Sequence, residues 1–253
     1  MVHAADKGAK LPIDDLVAKH LASVGSEGAR HANALRMAQG TVEFSDIISG
    51  GGLKLNGSAM FVSQGPKLKC AFHFGAPQYV GEQFVFDGQS YQVAMIDLNA
   101  RSSIGNFLYT HSEILRDGLL GGALSTAWPI YDLKSKSPKL KVEGLKKING
   151  RDLIDVTYLP KKQSLGGDMM IHLYFNPENY RHVLTVYRWV VRISGAGAAD
   201  EMRETVEERF DDFVELQGVT LPQHWEIHYV KEGIPSDWRW DVHFSSITQN
   251  PAN

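Results

Sequence analysis

The sequence predicts a mainly β chain with a few helices, an α+β protein built on a large antiparallel sheet. Three observations lead there. From Thr41 onward, apolar residues recur mostly with a period of two. Met169 to Ile193 reads as a β-hairpin, two runs rich in β-branched and aromatic residues joined by Asn176-Pro177-Glu178-Asn179. Helical spacing is confined to two or three stretches. The hairpin's second arm, Arg181 to Ile193, would reach roughly 40 Å if fully extended. Both its faces are largely apolar: Thr185, Tyr187 and Trp189 point one way, Leu184 and Val186 the other. Such a strand needs cover on each side, or one side lines a cavity. The hairpin is therefore expected near the middle of the sheet.

Pro12 to Gly25 carries the clearest helix. Ile13, Leu16, Val17, His20, Leu21 and Val24 form one stripe, with Pro12 at the start, Asp14 and Asp15 in the first turn and Gly25 at the stop. A weaker helical patch covers Gly28 to Met37. Leu53, Leu55, Ala59 and Phe61 then alternate with polar or small neighbours, and Leu68, Cys70, Phe72 and Phe74 make a strand with one wet face. Gln83 to Ile96 is a hairpin turning at Asp87-Gly88. Ser102 to Arg116 returns to helical spacing and runs into Asp117–Ser125, which is both apolar and glycine-rich. That stretch admits two readings: a tight junction packed in the core, or a mobile lid over an apolar ligand. We expect the lid, carried by Gly118 to Ser125. After a basic connector, Lys134 to Lys141, Asn149-Gly150 signals a type I′ turn. Glu201 to Leu216 fits a helix by its glutamates and a charged strand by its spacing; the long arm beside it needs a partner, so we expect a strand. Trp225, Ile227 and Tyr229 share a face in the next strand, as do Trp238, Trp240, Val242 and Phe244 in the last. No repeat, low-complexity tract or linker divides the chain, and one domain over residues 1–253 is expected, with residues 1–10 a disordered tail.

Composition excludes several function classes. A net charge of -3 argues against a nucleic-acid surface. No run of eighteen or more apolar residues occurs. The single cysteine, Cys70, permits no internal disulfide. Val2-His3-Ala4-Ala5 has the small residues of a signal-peptidase site without the apolar run ahead of it, so Met1 is expected to stand where an export signal was removed.

Catalytic signatures are missing too: no GxGxxG, Walker loop or GxSxG occurs. His224-Trp-Glu-Ile-His228 misplaces its glutamate relative to a zincin helix, and on a strand its histidines lie roughly 13 Å apart. Those two cannot share a metal. His172, His182 and His243 read as interface or surface histidines, and Cys70 as a buried inert thiol. Neither an enzyme, a metal nor a cofactor is expected. What remains is an excess of aromatic residues on strands with few helices to cover them.

Placed in this order, the elements resemble the outer-membrane lipoprotein-sorting, or LolA-like, superfamily. The resemblance begins in LPIDDLVAKHLASVG and ALRMAQGTVEF and is most specific in KKINGRDLIDVTYLPKK, IHLYFNPENYRHVLTVY and EERFDDFVELQGVTLPQHWEI. It implies a curved antiparallel half-barrel with helices plugging its concave face, and Glu201 to Leu216 as strand. It also implies a periplasmic carrier or chaperone for a lipid, an acyl chain or a lipidated protein, with inner- or outer-membrane proteins as further partners. The candidate lipid contacts are Phe72, Phe74, Phe86, Phe107, Leu119, Leu120, Leu124, Trp128, Tyr174, Tyr187, Trp189 and Trp225. The chain is longer than the lipoprotein carrier, and no motif matches that carrier's cavity arginine, for which Arg36 is a candidate by location. The cargo thus stays open among triacylated lipoprotein, free lipid and another hydrophobic molecule. The alternative is an envelope accessory or regulatory protein that binds a protein partner with the same half-barrel.

Overall fold

Twelve strands join one antiparallel sheet in the computed structural model, which describes residues 11–47, 52–96, 100–162, 169–192, 201–233 and 236–250. The tail expected at residues 1–10 lies outside them. In chain order the strands are β1 (Leu35–Asp46), β2 (Lys54–Gln64), β3 (Lys67–Ala76), β4 (Tyr79–Phe86), β5 (Tyr91–Met95) and β6 (Lys139–Ile148). They continue as β7 (Arg151–Leu159), β8 (Met169–Phe175), β9 (His182–Arg192), β10 (Glu201–Leu216), β11 (Val219–Lys231) and β12 (Ser236–Gln249). Across the sheet the order is β5-β4-β3-β2-β1-β12-β11-β10-β9-β8-β7-β6. Every neighbour but one is also next in sequence, so the chain makes two meanders, and β1 joins them by pairing with β12. The sheet does not close, and it curves into a half-barrel with helices on its concave side.

The period-two pattern explains which face each residue takes. On β3, Leu68, Cys70, Phe72 and Phe74 are buried while Lys67, Lys69 and His73 are exposed. Asn149 and Gly150 turn at φ 48° and 81°, the left-handed values that a type I′ turn requires. β1 begins at Leu35, inside the stretch read as helical. The helix there is only α2 (Glu27–Ala32), whose Ser26 cap accepts from the Ala29 amide, and Leu35 to Met37 instead complete the ladder with β2 and β12.

The hairpin β8–β9 sits toward one edge, not in the middle. The centre is held by β1, β12 and β11, whose inward rows of Phe44, Trp240, Val242, Trp225 and Ile227 are almost fully buried. Two greasy faces on β9 do not require a central position, because a small second cluster covers its outer side: Leu153, Tyr174, Leu184 and Val186. β10 is a sixteen-residue strand, paired with β9 and β11.

Three helical segments fill the concave side. α1 (Ile13–Val24) packs against β11 and β6, burying Leu16, His20 and Val24. α3 (Ser103–Thr110), capped by Ser102, buries Ile104, Phe107 and Leu108 against β5. α4 (Glu113–Arg116) leads into the glycine-rich stretch, after which α5 (Leu133–Lys136) returns the chain to β6. Among the described residues no helix is long and apolar enough to cross a membrane.

Candidate functional site

The glycine-rich stretch after α4 is the plug of the half-barrel. Every residue from Gly118 to Ser125 is buried, with Leu119 and Leu124 at 0% exposure. Of the two readings its composition allows, the stretch is packed as a core junction or a closed lid would be. Its glycines serve close approach: Gly121 and Gly122 adopt φ 79° and 51°, and a Cβ would lie 2.6 Å from the Phe61 ring and 2.8 Å from His182 Nδ1. A backbone this near the sheet cannot carry side chains at those points.

The plug is tied to the sheet by ionisable side chains. Arg36 on β1, 2% exposed, donates through Nη1 to the carbonyls of Ala123 (2.6 Å) and Leu124 (2.9 Å). Tyr131 donates to the same Ala123 carbonyl at 3.1 Å. Glu208 on β10, fully buried, accepts from the Gly121 amide (2.7 Å), the Tyr187 hydroxyl (2.7 Å) and Trp225 Nε1 (3.0 Å). Burial pushes the Glu208 carboxyl up to about 7, against the pull of those three donors. Thr126, at the end of the plug, donates its amide to Ser63 on β2.

Other ionisable groups share this interior. Glu82 on β4 accepts from Tyr79, and burial raises it to about 7. His20 on α1 accepts from Trp128 Nε1 at 3.1 Å, while its Nδ1 faces the Tyr180 carbonyl at 3.0 Å. With both nitrogens so engaged the neutral ring fits and a second proton does not, and burial lowers its pKa to about 4. His182, read as a surface or interface residue, lies 2% exposed against Trp128 and Phe210, its pKa well below the usual value. Cys70 is buried, and desolvation holds its thiol protonated.

Eleven of the twelve residues expected to touch lipid meet in this space. Phe72, Phe74, Phe86, Tyr187 and Trp225 line the sheet, Phe107 projects from α3, and Leu119, Leu120, Leu124 and Trp128 belong to the plug and its exit. Trp189 packs at the margin. Tyr174 does not join them. It lies one residue from Leu173 and Phe175 on β8, so the pleat sends it to the outer cluster. A separate groove of about 500 Å³ opens beside that cluster, lined by Arg151, Asp152, Arg181 and Asp211 among others. Its mixed charges do not suit an acyl chain.

The residues that sequence reasoning missed are Glu208, Glu204 and Glu82. A signal existed for two of them. Glu204 and Glu208 have the same parity as Val206 and Phe210, which places all four on the inner face. Glu204 accepts there from Tyr229 at 3.0 Å and pairs with Lys231 at 2.6 Å.

No family model and no curated protein matches the sequence. The three-dimensional likeness is extensive. A LolA superfamily protein from Nitrosomonas europaea superposes with a TM-score of 0.50 over 96% of both chains, at 12% identity. The fold is LolA-like. A DUF1329 family protein from Desulfovibrio piger superposes similarly, with a TM-score of 0.51 over 96% of this chain and 95% of that one, at 9% identity. Identities this low speak for the LolA-like fold alone.

Proposed function

We propose that the chain is a non-enzymatic carrier or binding protein for a lipid, an acyl chain or a lipidated protein, acting in the periplasm. The observation that carries this reading is the way the plug is fastened. A plug that only filled the half-barrel would be better held by apolar packing, since burying an arginine and a carboxylate costs several kcal/mol unless their bonds are made. Here Arg36 and Glu208 reach from the wall to backbone groups of Gly121, Ala123 and Leu124. Such bonds can be exchanged for bonds to water or to a polar headgroup, and the packing of the plug leucines can be replaced by that of an acyl chain. On this reading Leu119, Leu120 and Leu124, which share one core with Phe72, Tyr187 and Trp225, would give way to an acyl chain. Each methylene withdrawn from water is worth about 0.8 kcal/mol, so a sixteen-carbon chain needs shelter worth on the order of 12 kcal/mol. A plug that lifts supplies that shelter.

Palmitate tests the proposal. Native mass spectrometry of the full chain should show a discrete adduct, and amide exchange at Gly121 to Leu124 should quicken when palmitate displaces the plug. The variant Arg36→Leu should quicken the same amides without ligand while leaving the strands of the sheet protected. No adduct, with exchange in the plug unchanged, would overturn the carrier reading. The filled interior would then favour the accessory protein, in which the half-barrel is a rigid platform for a protein partner.

A further inference from the structure

We propose that His224, Asp241 and His243, on the convex face away from the plug, bind one divalent transition-metal ion. His224 on β11 and His243 on β12 are directly opposed across the ladder, and their rings stack with centroids 4.4 Å apart and planes 3° from parallel. Asp241 lies two residues before His243, on the same face. Its Oδ1 is 2.6 Å from His224 Nε2 and 3.3 Å from His243 Nε2. Among the described residues this is where three such side chains bring one ligand atom each within 4.8 Å of one another. A four-coordinate ion with N and O bonds of about 2.0–2.2 Å holds its ligand atoms roughly 3.3 Å apart and lies in the plane of each imidazole, so the exposed His243 ring would have to turn out of the stack to share one.

The surroundings favour a cation as well. Glu226 and Glu43 flank Asp241 in register from β11 and β1, a row of like charges that costs stability when nothing positive lies over it. Glu226 has Arg209 and Arg239 within 4 Å, and Glu43 has Lys54, whereas the ion-pair partners of Asp241 among the described residues are the two imidazoles. Two imidazoles and one carboxylate select zinc, copper(II), nickel or cobalt(II) over calcium and magnesium, which want oxygen. Metal on each Nε2 would leave the ring proton on Nδ1, and a fourth position would stay open to water or to a side chain of a partner. Along β11 His224 and His228 lie too far apart to share an ion, whereas His243 faces His224 directly across the ladder.

Titration of the chelator-stripped full chain with zinc should show one tight site, with cobalt(II) giving visible bands of a low-symmetry N/O complex. His243 is 59% exposed, so His243→Gln is the deciding variant, and it should weaken zinc binding by about tenfold or more and abolish the bands. His228→Gln, which breaks the simpler His228–Asp237 pair, should leave both unchanged. A wild-type chain that binds zinc no tighter than about 1 mM, or one whose affinity survives His243→Gln, would overturn the site.

Discussion

Glu208 shows what a single buried carboxyl does to the stability of this fold. Its value of about 7 lies above the ordinary 4.5, so the folded state keeps the proton over a range where the unfolded chain has lost it. Its contribution is therefore fully present below pH 4.5 and is lost as pH rises to 7, a difference of about 3 kcal/mol. Urea unfolding at pH 4.5 and 7.5 should show the wild type losing about that much more than Glu208→Gln, and parallel losses would contradict it. His20 works in the opposite sense, because its value is lowered to about 4. Its contribution is complete above pH 6.5 and disappears as pH falls toward 4, and it cancels when the two chains are compared. The sequence made His20 legible as part of a helical stripe. It hid Glu208, because a carboxylate between arginines and glutamates reads as solvated unless strand parity is followed to the next apolar residue.

At the scale of elements, the plug separates two roles of glycine. Gly121 and Gly150 both adopt positive φ, but a Cβ at Gly150 would meet open space and one at Gly121 would meet the Phe61 ring. Gly150→Ala should cost about 1 kcal/mol, the backbone strain alone, and Gly121→Ala at least about 2 kcal/mol more, because the ring must move. Equal losses in urea unfolding would show that the plug yields without resistance. Leu119 and Leu120 follow the same logic: each is buried to 1% or less, so serine there should lower the melting temperature sharply. Composition alone cannot distinguish a flexible loop from a close-packed one, since both call for glycine and leucine. α1, by contrast, was legible because its stripe, start and stop agree. β10 was decided by its neighbours and not by its own propensity, which is why its glutamates mislead and the extended arm beside it does not.

Across the whole molecule, the open sheet leaves two edges, and the chain guards each differently. β6 carries Lys139, Lys141, Lys146 and Lys147 on exposed positions and breaks its ladder with β7 between Val142 and Gly144. α3 packs against β5 at the other end. Charge and a bulge are the usual guards against edge-to-edge pairing. Replacing Lys139, Lys141 and Lys147 with valine should therefore produce concentration-dependent association in light scattering, with the melting temperature within a few degrees of wild type. Neither the guarded edges nor the off-centre hairpin could be read from sequence, because both depend on strand order. That order also sets a timetable. β1 meets β12 only after about 190 intervening residues have been made, at roughly 5–20 residues per second, so its free side waits on the order of ten seconds or more. During that wait the first meander presents an apolar, unpaired margin to everything around it. The last strand to emerge acts as a clasp, and until it arrives the newborn chain needs either a helper that holds it or a rate of delivery that outruns its own aggregation.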